Sequence, residues 1–491
     1  VIESLLNLIL SALLTTLSMP GYLYGGLVFF ALVPLLFALE KKRVFYSSLL
    51  SFIYFFVFSF SNFHYIIGTL VKGLPELFGR FSSLTGFFVY ILFCILEALP
   101  FLLFGLLYGL WKERIRFRIL EPIFVASIFV ISEYLRGLGD LGFTGGRLSD
   151  ALYSFKGILQ ILPFTGTLGL VFVIVVVNYE SYKLLKKSKY NISIVLAIFT
   201  LLAILNGTIE NRLPIENADK TIILAQTNVP QNVKYSWPSK TIARYLIDNF
   251  SNTPNYLTIF PEAVFPSEDI RRSNEVENMI TQAFNKRTIL IGYPTIDGNS
   301  FFNSLVVYEN GKYKDKYDKI KLFPFVEMLP YKSIFGSLDF LKGMYYFTPG
   351  NLKTIKIDNY GNVGLLICFE SYFPQLVRKI SENAEFIVVS TNDGWYDSKI
   401  ALLQHYVQTV FRAVETRRYI VQVSNTGLSG VTDYFGNYVL LPSGTIWKVG
   451  YVKSHTKATF YTKFGDYIVL VALLLTIFTG VTAKKKTSIF G

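Results

Sequence analysis

Apolar residues follow two different rhythms along this chain. Through the first ~206 positions they come in long, nearly unbroken blocks, at residues 3–19, 22–39, 44–66, 84–110, 119–135, 159–181 and 191–206, and an eighth block follows at 466–483. A helix that crosses a bilayer needs about 20 mostly apolar residues, so each block predicts a membrane span. Pro100 falls inside the fourth block and Pro122 near the start of the fifth. Both are tolerable where neighbouring helices satisfy the freed backbone groups.

Between residues ~215 and ~455 the rhythm shortens. Short β-rich runs at 221–228, 255–263, 288–294, 304–312, 362–370, 385–393 and 419–427 predict strands, and helices fit 239–251, 268–286, 372–383 and 401–417. YENGKY sets Asn-Gly between apolar runs, a hairpin signal, and DNYGN and DYFGNY read as further turns. Strands alternating with helices predict a layered α/β domain. Several strands are apolar throughout, as in sheets covered on both faces. The expected organisation is a helical membrane domain at 1–206 with seven spans, an α/β domain at 207–465, and an eighth span with a cytoplasmic tail at 466–491.

Charge orients this plan. KKR at 41–43, WKERIRFR at 111–118, YKLLKKSKY at 182–190 and KKK at 484–486 follow every second block. Basic loops stay in the cytoplasm, so the long 207–465 segment is expected on the outer side. The chain is 52% hydrophobic and only 16% charged, against about a quarter charged for soluble proteins. Its net charge of +13 sits beside apolar runs, which favours a topology signal over nucleic-acid binding. The opening VIESLLNLILSALLTTL lacks a basic start and reads as a first span, not as a cleavable signal.

Two cysteines, Cys94 and Cys368, make no disulfide framework. Cys94 lies in an apolar block and reads as a small buried hydrophobe. Cys368, in GLLICFESYFPQ, follows an apolar strand and precedes a helical segment. A helix N-terminus there would favour a thiolate. A thiol nucleophile also needs a base. Of the three histidines, His64 lies near a span end and His455 in the basic approach to the last span. His405, in LLQHYVQ, reads first as a structural residue of its helix, which turns attention to carboxylates. Glu262, in FPEAVFP, ends an apolar strand between two prolines, and Lys319, in YDKIKLFPFVEMLP, is set in an unusually apolar, Pro-containing stretch. No cluster of metal-ligand spacing is present in the sequence.

A strand-end Glu, a Lys 57 positions on and a Cys 49 further has the order and spacing of the nitrilase superfamily. The whole chain resembles the apolipoprotein N-acyltransferase family, through PEAVFP, YDKIKLFPFVEMLP, ICFESYFP, STNDGWY, FRAVETRRYIVQVSNTGLSG, and SEYLRG with GFTGG. The resemblance implies a nitrilase-like αββα sandwich on the outer side of an eight-span membrane domain. It places the catalytic Glu, Lys and nucleophile on Glu262, Lys319 and Cys368, and supporting carboxylates on Glu327 and Glu370. Phe369 stands where the family usually has Tyr, Val326 where it has Gly, and Tyr235 where some members have Trp, with Trp237 close by; Phe369, Tyr235 and Trp237 are candidate substrate contacts.

The activity implied is transfer of a phospholipid acyl chain, through a cysteine thioester, to the N-terminal amine of a diacylglyceryl-cysteine apolipoprotein. It implies a monomer in the bacterial inner membrane, facing the periplasm, with lipid and apolipoprotein as partners and no cofactor. KGMYYFTPG (342–350) and FPFVEMLP are candidate rim or lid segments. Glu133 and Arg136 are candidates either for headgroup contact or for a structural ion pair. The competing expectation is a membrane-tethered amidase using the same three groups on small molecules, for which one span would suffice.

Overall fold

A computed structural model describes residues 2–73, 75–76, 79, 82–186, 200–201, 203–210, 218–336 and 346–482. The chain forms two compact units: Val1–Leu213 with Ser398–Val407 and Phe464–Gly491, and Pro214–Asp397 with Gln408–Lys463.

The first unit is helical. Val44–Asn62, Ser83–Trp111 and Leu162–Leu185 are long and apolar enough to cross a membrane, while Ile2–Ser18 and Tyr467–Val481 are shorter apolar helices. Leu6, Leu10 and Leu13 of the first helix and Leu470, Leu474 and Ile477 of the last are exposed. An outward face of this kind suits an apolar surrounding medium.

The sequence blocks are not all continuous helices. Block 22–39 breaks into a 3₁₀ turn, Gly25–Phe29, and a short helix, Val33–Ala38, with Pro34 in its first turn. Pro100, by contrast, sits within Ser83–Trp111, where Leu99 keeps helical φ/ψ between the segments Ser83–Ala98 and Pro100–Trp111. The block at 159–181 bends at Gly166, whose φ of 63° is open to glycine, and its helix continues to Leu185. The block at 191–206 and the basic cluster at 484–486 lie largely or wholly outside the described residues.

SEYLRG and GFTGG meet inside this unit. Arg136 donates to Glu97 (2.6 Å), Glu133 (2.8 Å) and the Gly145 carbonyl (2.8 Å). All three charged residues are buried, so the pair named from sequence is part of an internal ion network. Gly146 turns the chain at φ 71°, and a Cβ there would lie 2.7 Å from the Phe63 ring.

Among the described residues, the second unit is built from two six-stranded sheets. In chain order the strands are β1 (Lys220–Ala225), β2 (Leu257–Ile259), β3 (Thr288–Asp297), β4 (Ser300–Glu309), β5 (Lys312–Asp318), β6 (Thr354–Ile357), β7 (Gly361–Ile367), β8 (Phe386–Thr391), β9 (Ile420–Ser424), β10 (Gly430–Thr432), β11 (Tyr438–Leu440) and β12 (Trp447–Val452). One sheet has the order β12-β1-β2-β3-β4-β5 and the other β11-β10-β9-β8-β7-β6. Each centre is parallel, β1-β2-β3 and β7-β8-β9, with antiparallel strands outside it.

Strand alternation assigns the layers. On β3, Leu290 joins the core shared by both sheets, whereas Ile289 and Ile291 face a second core with Ile242, Leu246 and Ile280. Those three come from the helices Ser239–Phe250 and Asn274–Ala283, which cover the first sheet. Gly364 of β7 lets the helix Pro374–Ser381 lie close on the other sheet; a Cβ there would be 2.5 Å from Ile380 Cγ2. The β4–β5 hairpin turns at Asn310 and Gly311, both at positive φ, as Asn-Gly foretold.

Glu97→Ala removes one of two carboxylates from a buried guanidinium. It should lower stability by about 3 kcal/mol, seen as a lower unfolding temperature of the detergent-solubilised full-length chain. Glu97→Gln, which keeps an acceptor oxygen, should recover part of it.

Candidate active site

Four chain segments bring the candidate residues together in the second unit. Glu262 lies in the turn after β2, Lys319 directly after β5, Glu327 in the loop beyond it, and Cys368 directly after β7. Strand ends aim side chains well because the strand itself is held by its neighbours. Ser390 Oγ on β8 donates to the Phe260 carbonyl (2.9 Å), and Lys319 N donates to the Asn303 carbonyl (2.8 Å). Gly292 on β3 makes room for the Glu262 turn; a Cβ there would come within 2.5 Å of the Pro261 carbonyl oxygen and 2.7 Å of Glu262 Cα. Ala263, Phe325 and Cys368 all hold positive φ without being glycine. Such strain persists only where the surroundings over-determine the backbone.

Lys319 is buried between two carboxylates. Its Nζ lies 3.3 Å from Glu262 Oε1 and 2.9 Å from Glu327. Asn303 Nδ2 donates to both carboxylates at 2.8 Å, and Glu262 Oε2 accepts from Asn392 N at 3.0 Å. Glu327 also accepts from Phe323 N at 2.7 Å. Burial works against the Lys319 ammonium, but the charges of Glu262 and Glu327 outweigh it and raise its pKa.

Cys368 behaves differently from the sequence expectation. It opens a 3₁₀ turn, Cys368–Tyr372, and the α-helix begins only at Pro374. Burial, then the neighbouring charge of Glu262, push the thiol well above its ordinary range, although Lys319 pulls the other way. The resting sulfur therefore carries its proton, and attack requires a group to remove it.

Glu370 holds backbone and leaves the lysine to others. Its carboxylate is fully buried and accepts from Ile320 N (2.7 Å), Lys321 N (3.1 Å), Ile367 N (2.7 Å) and the Tyr317 hydroxyl (3.0 Å). It thereby joins the residues just after Lys319 to the residue just before Cys368. Phe369 reinforces the join, its ring 4.9 Å from Phe323 and 4.9 Å from Phe373.

Of the other candidates, Tyr235 stands 5.9 Å from the Trp395 ring, whereas Trp237 packs against Tyr245 and the outer core of the first sheet. Within 342–350, positions 342–345 lie outside the described residues; Phe347 N donates to the Glu327 carbonyl at 2.9 Å. Asn303, Tyr317 and Asn392 were missed from sequence. Asn303 is a single amide in an apolar run, SFFNSLVVY, and that break in the pattern was the available signal.

Comparison with known proteins agrees in both units. Residues 11–179 match the family model described as apolipoprotein N-acyltransferase N-terminal domain, and residues 254–447 match carbon-nitrogen hydrolase. A relative from Thermotoga maritima, named apolipoprotein N-acyltransferase, is 41% identical over 96% of this chain and 92% of its own length. The chain belongs to the apolipoprotein N-acyltransferase family. Family members of the same name from Aquifex aeolicus and Geobacter metallireducens are 29% and 27% identical, over 68% and 69% of this chain and 76% and 70% of their own lengths.

Burial raises the Glu370 pKa to about 7, even though its backbone donors and Lys319 oppose the shift. A carboxyl raised in the folded state binds more protons there than when unfolded. Its contribution to stability is complete below 4.5 and is lost as pH rises through about 7. Thermal unfolding of the full-length chain should show this decline, and Glu370→Gln should remove that part of the pH dependence while lowering stability throughout, because its amide nitrogen would face backbone N–H donors.

Proposed function

We propose that this chain is a membrane-embedded acyltransferase that moves an acyl chain from a phospholipid to the N-terminal amine of a diacylglyceryl-cysteine apolipoprotein. The observation that carries the reading is a buried Lys319 shared by Glu262 and Glu327 and electrostatically coupled to the Cys368 thiol, in a chain of this family.

In the first half-reaction Glu262 takes the thiol proton as Cys368 attacks the ester carbonyl. Lys319 offsets the negative charge that develops on the carbonyl oxygen. The C–O bond breaks, Glu262 returns the proton to the leaving lysophospholipid oxygen, and a thioester remains on Cys368. In the second, the acceptor amine attacks the thioester, Glu262 accepts a proton from it, and that proton goes back to the departing sulfur. Glu327 and Asn303 keep Lys319 and Glu262 in register, and Glu370 fixes the loops that carry Lys319 and Cys368. Neither half-reaction needs a group beyond these side chains.

Both substrates carry chains that stay in the bilayer, which accounts for the apolar helices of the first unit. The same reading takes eight spans, in a membrane domain at 1–206 and a last helix at 466–483, with the catalytic domain at 207–465 outside the bacterial inner membrane. The enzyme acts as a monomer.

Incubation with phospholipid alone should leave an acyl adduct on Cys368, read by mass spectrometry, and added diacylglyceryl lipopeptide should discharge it. Cys368→Ala should form no adduct, and Glu262→Gln and Lys319→Met should acylate at least ~100-fold more slowly. Release of ammonia from small amides, with no adduct from phospholipid, would replace this reading with the amidase.

A further inference from the structure

A second lysine is buried near Glu262, and it is held in the opposite way to Lys319. Lys234 lies on a short helix, Gln231–Ser236, and is only 3% exposed. Among the described residues its Nζ has no hydrogen-bond acceptor. It lines a cavity of about 10 Å³, room for a single water, together with Thr227, Val229, Trp237, Tyr245 and Val264.

The polar groups of that wall bond to partners other than Lys234. The Thr227 carbonyl accepts from the Tyr245 hydroxyl (2.6 Å), Thr227 Oγ1 donates to Asn425 Oδ1 (2.7 Å), and the Val229 carbonyl accepts from Asn425 Nδ2 (2.8 Å). A buried ammonium without an acceptor or a paired carboxylate is costly. A lysine with no role would be replaced at little loss by an apolar residue of similar length.

Two chain segments lead from the surroundings of Lys234 to the candidate base, although Glu262 does not itself line the cavity. Val264 is two residues beyond Glu262. From the helix of Lys234, Gln231 Oε1 accepts from Asn392 Nδ2 (3.4 Å), and Asn392 N donates to Glu262 Oε2 (3.0 Å). Among the described residues, the titratable group that lines the cavity with Lys234 is Tyr245, and the charge that acts on Lys234 from farther off is Glu262. Burial raises the Tyr245 pKa, so that phenol stays neutral.

We propose that Lys234 is a positioning residue of the acyl transfer that acts through Glu262, its charge setting how tightly Glu262 holds the proton taken from Cys368. The inference rests on Glu262 being the base. With Lys234 charged, the Glu262 carboxylate is stabilised and is the weaker base. With Lys234 neutral, Glu262 binds the thiol proton more tightly and acylation speeds up. Burial lowers the Lys234 pKa to about 7, the Glu262 charge opposing the shift, so this exchange falls near neutral pH. Only a proton passes between Lys234 and solvent, and no covalent bond changes.

The test is single-turnover acylation of Cys368 in the full-length enzyme, using mixed micelles of a dipalmitoyl phospholipid, across about pH 6 to 8. The wild type should rise roughly threefold or more through neutrality. Lys234→Met should lose the rise and stay at the upper level; Lys234→Arg, permanently charged, should lose it and stay at the lower level. A rise of the same size and midpoint in both variants, even at a uniformly reduced rate, would overturn the proposal. So would a wild-type profile flat through neutrality, which needs no substitution to measure. Glu262→Gln run in parallel separates the two readings. Wild-type rates there refute Glu262 as base. An inactive Glu262→Gln beside an unchanged rise in both Lys234 variants refutes the role of Lys234 alone.

Discussion

The site depends on one buried ammonium shared between two carboxylates. Lys319 is 2% exposed, and desolvation alone would strip its charge. Glu262 and Glu327 reverse that, and Asn303 donates to both, so the two carboxylates sit side by side without open repulsion. Each member is costly by itself in so dry a place. Removing Lys319 would leave two buried carboxylates facing each other with no cation, so the lysine is the member the cluster can least lose. A buried cation of this kind needs no solvent reorganisation when negative charge appears beside it, which is the condition for electrostatic stabilisation of an oxyanion.

That cluster can form only if distant segments end at one place, and the sandwich arranges this with strand ends. Glu262 follows β2, Lys319 follows β5 and Cys368 follows β7, on two different sheets. Glu370 ties the last two together through backbone N–H groups of Ile320, Lys321 and Ile367. The donors that hold this carboxylate are main-chain groups, whose positions do not change with side-chain rotamers. This explains why its place is filled by an acid buried at the expense of a raised pKa. The positive φ at Ala263 and Cys368 belongs to the same logic: backbone strain beside two candidate site side chains is held by well-packed strands.

How much of this was legible in the sequence follows from the range of each interaction. Apolar runs and Asn-Gly are local signals, and the seven strands and the hairpin read from them are present. The polar edge strand β5, KYKDKYD, carried no apolar signal, and β10 and β11 have only three residues each. Apolar content also overstated helix continuity, because the chain departs from one continuous helix around Pro34 and at Gly166, in blocks whose hydropathy is uninterrupted, whereas the block holding Pro100 stays one span-length helix. At the site, Glu262, Lys319 and Cys368 stood out because a charge or a thiol at the end of an apolar run is conspicuous. Asn303 and Asn392 did not, since an amide acts only through partners far away in sequence, and one of the Asn392 contacts is made by its backbone.

The two lysines carry the argument to its physical end. Lys319 and Lys234 are the same side chain, both nearly excluded from solvent, yet one is pushed up and the other down to about 7. The difference is not burial but what faces the nitrogen: two carboxylates in contact for Lys319, one carboxylate at a distance for Lys234. A fixed charge is what an oxyanion needs, because its value must not vary with the proton supply. A titrating charge suits a base that must first take a proton and then release it, because the balance between the two steps is set by how strongly the proton is held. Glu262 lies between them, ion-paired to the first and within the field of the second. In the proposed reaction, its ability to act in both directions would be a property of its two neighbours more than of its own side chain.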